Sequence, residues 1–177
     1  MKKGRELGMR LRAILIAMGL GMLVLASWGG SVARAADPVE ALPKTQGMFP
    51  QDKMVIATDD GRHVPFVVEV ASDAQQRSLG LMYRKELAAD GGMLFLWPDV
   101  GERTMWMKNT YIPLDMLFVD GDGYVVKVVA NTKPHDLTHI SSEFPAKGVL
   151  EINAGTARLL SLERGDRILY QGLGEGK

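Results

Sequence analysis

The sequence predicts a mainly β chain folded as a single compact sandwich or barrel-like domain with two short helices. Apolar residues recur with period two through most of the chain, and turn residues arrive roughly every ten positions. Only two short stretches break that period as helices, which argues against a doubly wound sheet.

The elements follow in order. Residues 54–58 form a short strand, and Asp59-Asp60-Gly61 is turn chemistry. Over residues 63–71, Val64, Phe66, Val68 and Val70 alternate with His63, Pro65, Val67 and Glu69; Pro65 argues for an edge or a bulge. Ser72-Asp73-Ala74-Gln75 reads as a capping box that opens a helix to about Leu79, closed by Gly80. Residues 92–97 form a strand stopped by Pro98, and residues 103–109 and 114–119 form two more. Asp120-Gly121-Asp122-Gly123 makes a tight hairpin into a strand over 124–131. A loop with Pro134 and Pro145 leads to a strand over 149–153 and a helix over 156–162. Residues 163–166 turn the chain into a last strand over 167–171.

The N-terminus has a different character. Lys2, Lys3, Arg5, Arg10 and Arg12 precede an uncharged apolar run over 13–27, and Ala33-Arg34-Ala35 supplies small residues for a peptidase. That order is a secretory signal over residues 1–35, shorter in its apolar run than the roughly 20 residues that span a bilayer. The protein is therefore expected to be exported, periplasmic or secreted, with no membrane association after cleavage. Pro38, Pro43, Gly47 and Pro50 make residues 36–53 a flexible linker, the domain covers 54–172, and residues 173–177 are a tail.

Residues 36–177 keep 15 of the 21 basic and 20 of the 21 acidic residues, a formal charge of 15 − 20 = −5. An acidic domain is a poor partner for nucleic acid. The absence of cysteine excludes disulfides, thiol nucleophiles and thiolate metal sites. Several motifs also fail. A calcium loop starting at Asp120 would place Tyr124 and Val125 where an oxygen ligand and a glycine belong. His135 and His139 have zinc-ligand spacing, but Pro134 argues against the helix that would align them. No serine sits in a nucleophile elbow, and no glycine run forms a phosphate loop.

One region stands apart. In Met105-Trp106-Met107-Lys108-Asn109-Thr110 and Leu114-Asp115-Met116, charged and amide groups are embedded among apolar ones. Such charges are costly unless paired or solvent-reaching. On a strand, Trp106 and Lys108 share one face while Met105, Met107 and Asn109 share the other. The residues point to a cleft where Arg84, Trp106, Lys108 and Asp115 converge, Lys108 or Arg84 pairing with Asp115, joined by Asn109 and by Glu151 from its apolar run.

The motifs R-x-x-G-L-M-x-R from Arg77, G-M-L-F from Gly92, M-W-M-K-N-T-x-I-P-L-D from Met105, V-L-E-I-N-A-G-T from Val149 and the late G-D-R carry a resemblance. Together they closely resemble the domain of unknown function family 192, across roughly residues 54–171. The resemblance implies a small all-β sandwich or barrel with short helices. It places Arg77, Gly80, Met82, Arg84, Trp106, Lys108, Asn109, Asp115 and Glu151 in the family's signature and brings no activity or cofactor with it. Some members carry cysteines in the loop where this chain has His135 and His139, so no metal site transfers through that loop.

Three functions compete. The first is an exported accessory module binding a small molecule or a protein partner of the cell envelope. The second is an enzyme using Asp115 or Glu151 as acid or base with Lys108 or Arg84 as electrophile. The third is a copper(I) site built from Met82, Met105, Trp106 and Met107, since soft thioethers select that ion.

Overall fold

Period-two patterning is realised in nine strands and two short helices over residues 48–174, the part of the chain that the computed structural model describes. Strands β1 (Gln51–Ala57) and β2 (His63–Ala71) form an antiparallel hairpin in continuous register from Gln51 opposite Glu69 to Ala57 opposite His63. Helix α1 (Ala74–Leu79) then carries the chain across to β3 (Gly91–Gly101), which runs parallel to β2. After the two-residue β4 (Thr104–Met105) come β5 (Leu114–Val119) and β6 (Val125–Val129). The last elements are β7 (Ile140–Ser141), β8 (Ala146–Asn153), α2 (Thr156–Leu159) and β9 (Arg167–Leu169).

Seven strands make one sheet in the order β6-β5-β8-β3-β2-β1-β9, and β4 pairs with β7 separately. The large sheet curls until its two edge strands meet at one end. Tyr124 bridges Arg167 there, Val125 N–H donates to the Asp166 carbonyl at 2.8 Å, and Ile168 N–H donates to the Gly123 carbonyl at 2.8 Å. Gly123 permits this approach: a Cβ at that position would lie 2.7 Å from the Ile168 carbonyl oxygen, and its φ is 91°. The contact satisfies several edge backbone groups at that end.

Each face of the sheet buries its own core. Met54, Ile56, Phe66, Val68, Leu94, Leu117, Leu150, Ile152 and Ile168 pack inside the curl. On the opposite face Leu81, Met93, Phe95, Met107, Leu114, Met116, Phe118 and Val149 pack beneath the segments that flank α1 and β4. All six residues of β5 are therefore buried, which is why its sequence is nearly continuously apolar. Among the described residues no helix is long and apolar enough to cross a membrane.

Several expected boundaries shift. The capping box starts one residue later: the Asp73 carboxylate accepts from Gln76 N–H at 2.8 Å, and the Gln76 side chain accepts from the N–H groups of both Ser72 and Asp73. Pro98 does not stop β3, because the strand breaks register against β8 between Leu96 and Gly101 and the irregular stretch needs no donor there. The expected strand over 103–109 is only β4; after Met105 the chain turns, with Asn109 at φ 54°. The helix over 156–162 ends at Leu159, and the last strand ends at Leu169.

Order also begins before Met54. Phe49 is buried, Val70 N–H donates to the Pro50 carbonyl, and residues 51–53 belong to β1. At the other end Leu173 belongs to the core inside the curl rather than to a tail. The signal segment 1–35, most of the linker (36–47) and residues 175–177 lie outside the described residues. The hairpin reading of Asp120 holds, its carboxylate accepting from the N–H groups of Asp122 and Tyr124 at 3.0 and 2.9 Å.

Candidate ligand cleft

Glu151 occupies the middle of β8, opposite Met93 on β3 and Met116 on β5. Side chains directly opposite one another share a face, so the carboxyl lies between two thioethers in the core outside the curl. It is 4% exposed, and no side-chain hydrogen bond reaches it among the described residues; its oxygens keep a sliver of solvent contact, since Arg84 Nε is the one fully buried side-chain polar atom without a partner there. Desolvation alone pushes its pKa up from 4.5 to about 8.

Two segments roof this carboxyl. The end of α1 and its following turn contribute Arg77, Gly80 and Met82; the chain after β4 contributes Met105, Trp106, Lys108 and Thr110. Together with Glu151 and Phe95 they line a narrow cleft of about 30 Å³, close to the volume of one water molecule. Gly80 is required for that roof: a Cβ there would lie 2.9 Å from the Phe95 ring, and φ is 48°. At the mouth Trp106 is 46% exposed, with the Lys108 ammonium 5.9 Å from its ring centroid and the His139 ring 6.2 Å away. The Arg77 guanidinium is engaged elsewhere, donating to the carbonyls of Ser72 and Leu96 at 2.5 and 2.9 Å and stacking 5.4 Å over Trp97.

The two roof segments are stitched by residues in the left-handed region. Tyr83 (φ 65°) and Asn109 (φ 54°) exchange two hydrogen bonds, backbone to backbone at 2.8 Å and Asn109 amide to Tyr83 hydroxyl at 2.9 Å. The same amide reaches the Met82 sulfur at 3.9 Å. Left-handed conformations are uncommon for side chains of this size and persist only where neighbours hold them.

Of the expected residues, Trp106, Lys108 and Glu151 line this cleft, and Asn109 braces its wall. Asp115 and Arg84 do not join them. Asp115 lies opposite Ile152, one residue out of phase with Glu151, so its side chain takes the other face of the sheet. There it is fully buried, accepting from Asn131 N–H at 2.8 Å and from Ala157 N–H at 2.9 Å, and it ties β5 to the loop after β6 and to α2. Arg84 pairs with Glu69 at 2.6 Å, while its buried Nε has no partner among the described residues. That pair borders a separate hollow of about 1110 Å³ beside Tyr83, Lys85, Glu86 and Asp90. Glu69 is opposite Met93, so it and Glu151 stand in one row across the sheet with Met93 between them. Sequence reading missed Glu69 because it looks like an ordinary outward residue of an alternating strand.

The copper set is also divided. Met82, Met105 and Trp106 line the cleft. Met107 is 1% exposed and its sulfur accepts from the Thr132 hydroxyl at 3.2 Å. Among the described residues no three His, Asp or Glu side chains gather as a metal cage, and His135 stacks on Tyr111 at 5.2 Å, apart from His139 on Trp106.

Residues 55–170 match the model of the family DUF192, described as uncharacterised ACR. A solved structure from Sinorhizobium meliloti, described as a candidate transcription regulator, is 43% identical, covering 71% of this chain and 97% of its own with a TM-score of 0.69. A protein of unknown function from Novosphingobium aromaticivorans is 32% identical, covering 77% of this chain and 99% of its own with a TM-score of 0.68. The comparison with curated proteins finds no match.

Proposed function

Because the chain belongs to the DUF192 family, whose description assigns no activity, we propose a function from the cleft itself: an exported binding module that seats a small ligand, or a small group of a partner in the cell envelope, between Trp106 and Glu151. The observation that carries this reading is the lone carboxyl. A buried acid without a partner weakens the fold, so a carboxyl at the floor of an opening argues for something that reaches it. Export rests on the basic, apolar and small-residue order of residues 1–35. A nucleic-acid role, suggested by the description of the Sinorhizobium protein, sits poorly with the charge of −5 over residues 36–177 (15 − 20).

Binding is favoured over catalysis because the expected catalytic groups are spent. Asp115 is committed to two backbone N–H groups and Arg84 to Glu69. Of the four expected groups, Glu151 and Lys108 alone line the cleft, and a single acid in a space of about 30 Å³ positions no second reactant.

Native mass spectrometry of protein recovered from the cell envelope or medium tests the proposal. A stoichiometric adduct on the wild type that disappears in Trp106→Ala and in Glu151→Leu is expected. A wild type without adduct, or an adduct retained by both variants, overturns it.

A further inference from the structure

We infer that the ligand of this cleft is a soft monovalent metal ion, copper(I) or silver(I), held by the thioether sulfurs of Met82 and Met105 with the Glu151 carboxylate as counter-charge. The inference rests on the cleft being the binding site and names its ligand class. Size comes first. About 30 Å³ admits an ion or one water, whereas small-molecule sites run to roughly 300–1,000 Å³.

Donor chemistry comes second. Met82 and Met105 line the cleft, and Met93 and Met116 flank Glu151 in register. Four of the seven methionines at or after residue 48 therefore surround one carboxyl. Thioethers select copper(I) and its silver analogue, while calcium and magnesium need about six oxygen ligands and zinc prefers thiolate or imidazole. A singly charged ion beside one carboxylate forms a neutral pair, which an apolar surround tolerates better than either charge alone.

The mouth fits as well. Trp106 presents an indole face, the best aromatic surface for a cation, and the Lys108 ammonium now stands 5.9 Å from its centroid. Lys108 is exposed and competes for that place, so its removal should help a cation and would harm an anionic ligand. Met107 stays outside the set because it is 1% exposed and does not line the cleft.

The test is titration of the chelator-stripped full chain with silver(I), then anaerobically with copper(I) against bicinchoninate. Wild type should bind one tight equivalent more than the Met82→Leu/Met105→Leu double variant, whose dissociation constant for that equivalent should rise about 100-fold, with a rise of about 10-fold in Glu151→Gln. Met107→Leu should bind as wild type, and Lys108→Ala should bind as tightly or more tightly. Single leucine variants give the same reading if the double variant fails to fold. Equal affinity of wild type and the methionine variants overturns the inference. If an organic adduct is then still present on wild type and lost in Trp106→Ala, the binding-module reading stands without the metal; with no adduct of any kind, both fall.

Discussion

Tyr83 and Asn109 hold each other twice, through a backbone hydrogen bond of 2.8 Å and a side-chain hydrogen bond of 2.9 Å, although both sit at positive φ. The pair joins the turn after α1 to the turn after β4, and so fixes the distance between the two walls of the cleft. Asn109→Ala removes the amide and leaves a Cβ in a left-handed residue. It should destabilise the domain by about 1–2 kcal/mol, and Tyr83→Phe by about 1 kcal/mol. Urea unfolding measures both, and wild-type stability in Asn109→Ala would mean that the clasp is incidental.

Glu151 should make stability depend on pH in one direction. Its folded pKa of about 8 lies above the ordinary 4.5. The folded state therefore holds the proton more tightly, and the contribution is intact below pH 4.5 and lost as pH rises toward 8. The ceiling is about 5 kcal/mol, at roughly 1.4 kcal/mol per pH unit over that window. In metal-free buffer Glu151→Gln should lack this loss, so its melting advantage over wild type should grow from pH 5 to pH 8. Parallel curves for the two proteins would contradict the assignment.

Asp115 and Lys108 should separate structure from binding. Asp115→Asn keeps one acceptor for two backbone donors, that of Ala157 buried, and should cost about 2–4 kcal/mol. Lys108→Ala touches an exposed side chain and should change stability by about 0.5 kcal/mol or less. Thermal and urea unfolding of the two variants check this. A Lys108→Ala loss as large as that of Asp115→Asn would place Lys108 in the fold rather than at the mouth.

Much of this architecture was legible. β2 and β5 follow from alternation and apolar runs, and the Asp120 hairpin follows from its turn residues. Polar groups set in apolar sequence singled out Trp106, Lys108 and Glu151, which line one cleft, but equally Arg84 and Asp115, which do not. The phase of Asp115 against Glu151 was not, because it depends on the register of β5 with β8, strands separated by more than twenty residues. The Arg84–Glu69 pair was hidden for the same reason: β2 and β3 pair only after α1 has carried the chain across. The turn at Asn109 was hidden because alternation of burial persists through it, Met107 buried between exposed Trp106 and Lys108, without a strand to cause it.

Export gives a prediction independent of the cleft. The secreted form should begin at Ala36, the residue after Ala33-Arg34-Ala35. Intact mass of the recovered protein measures this. A mass that retains residues 1–35 would indicate an anchored protein.

The function proposed for the cleft depends on a lone, desolvated carboxyl, that of Glu151, at its floor. Its most direct test is the titration of the Glu151 side-chain carbon by NMR in metal-free, carboxyl-labelled protein, assigned by its absence in Glu151→Gln. An apparent pKa near 8 is predicted. A midpoint near the ordinary 4.5 would show a solvated or paired carboxylate and contradict the account.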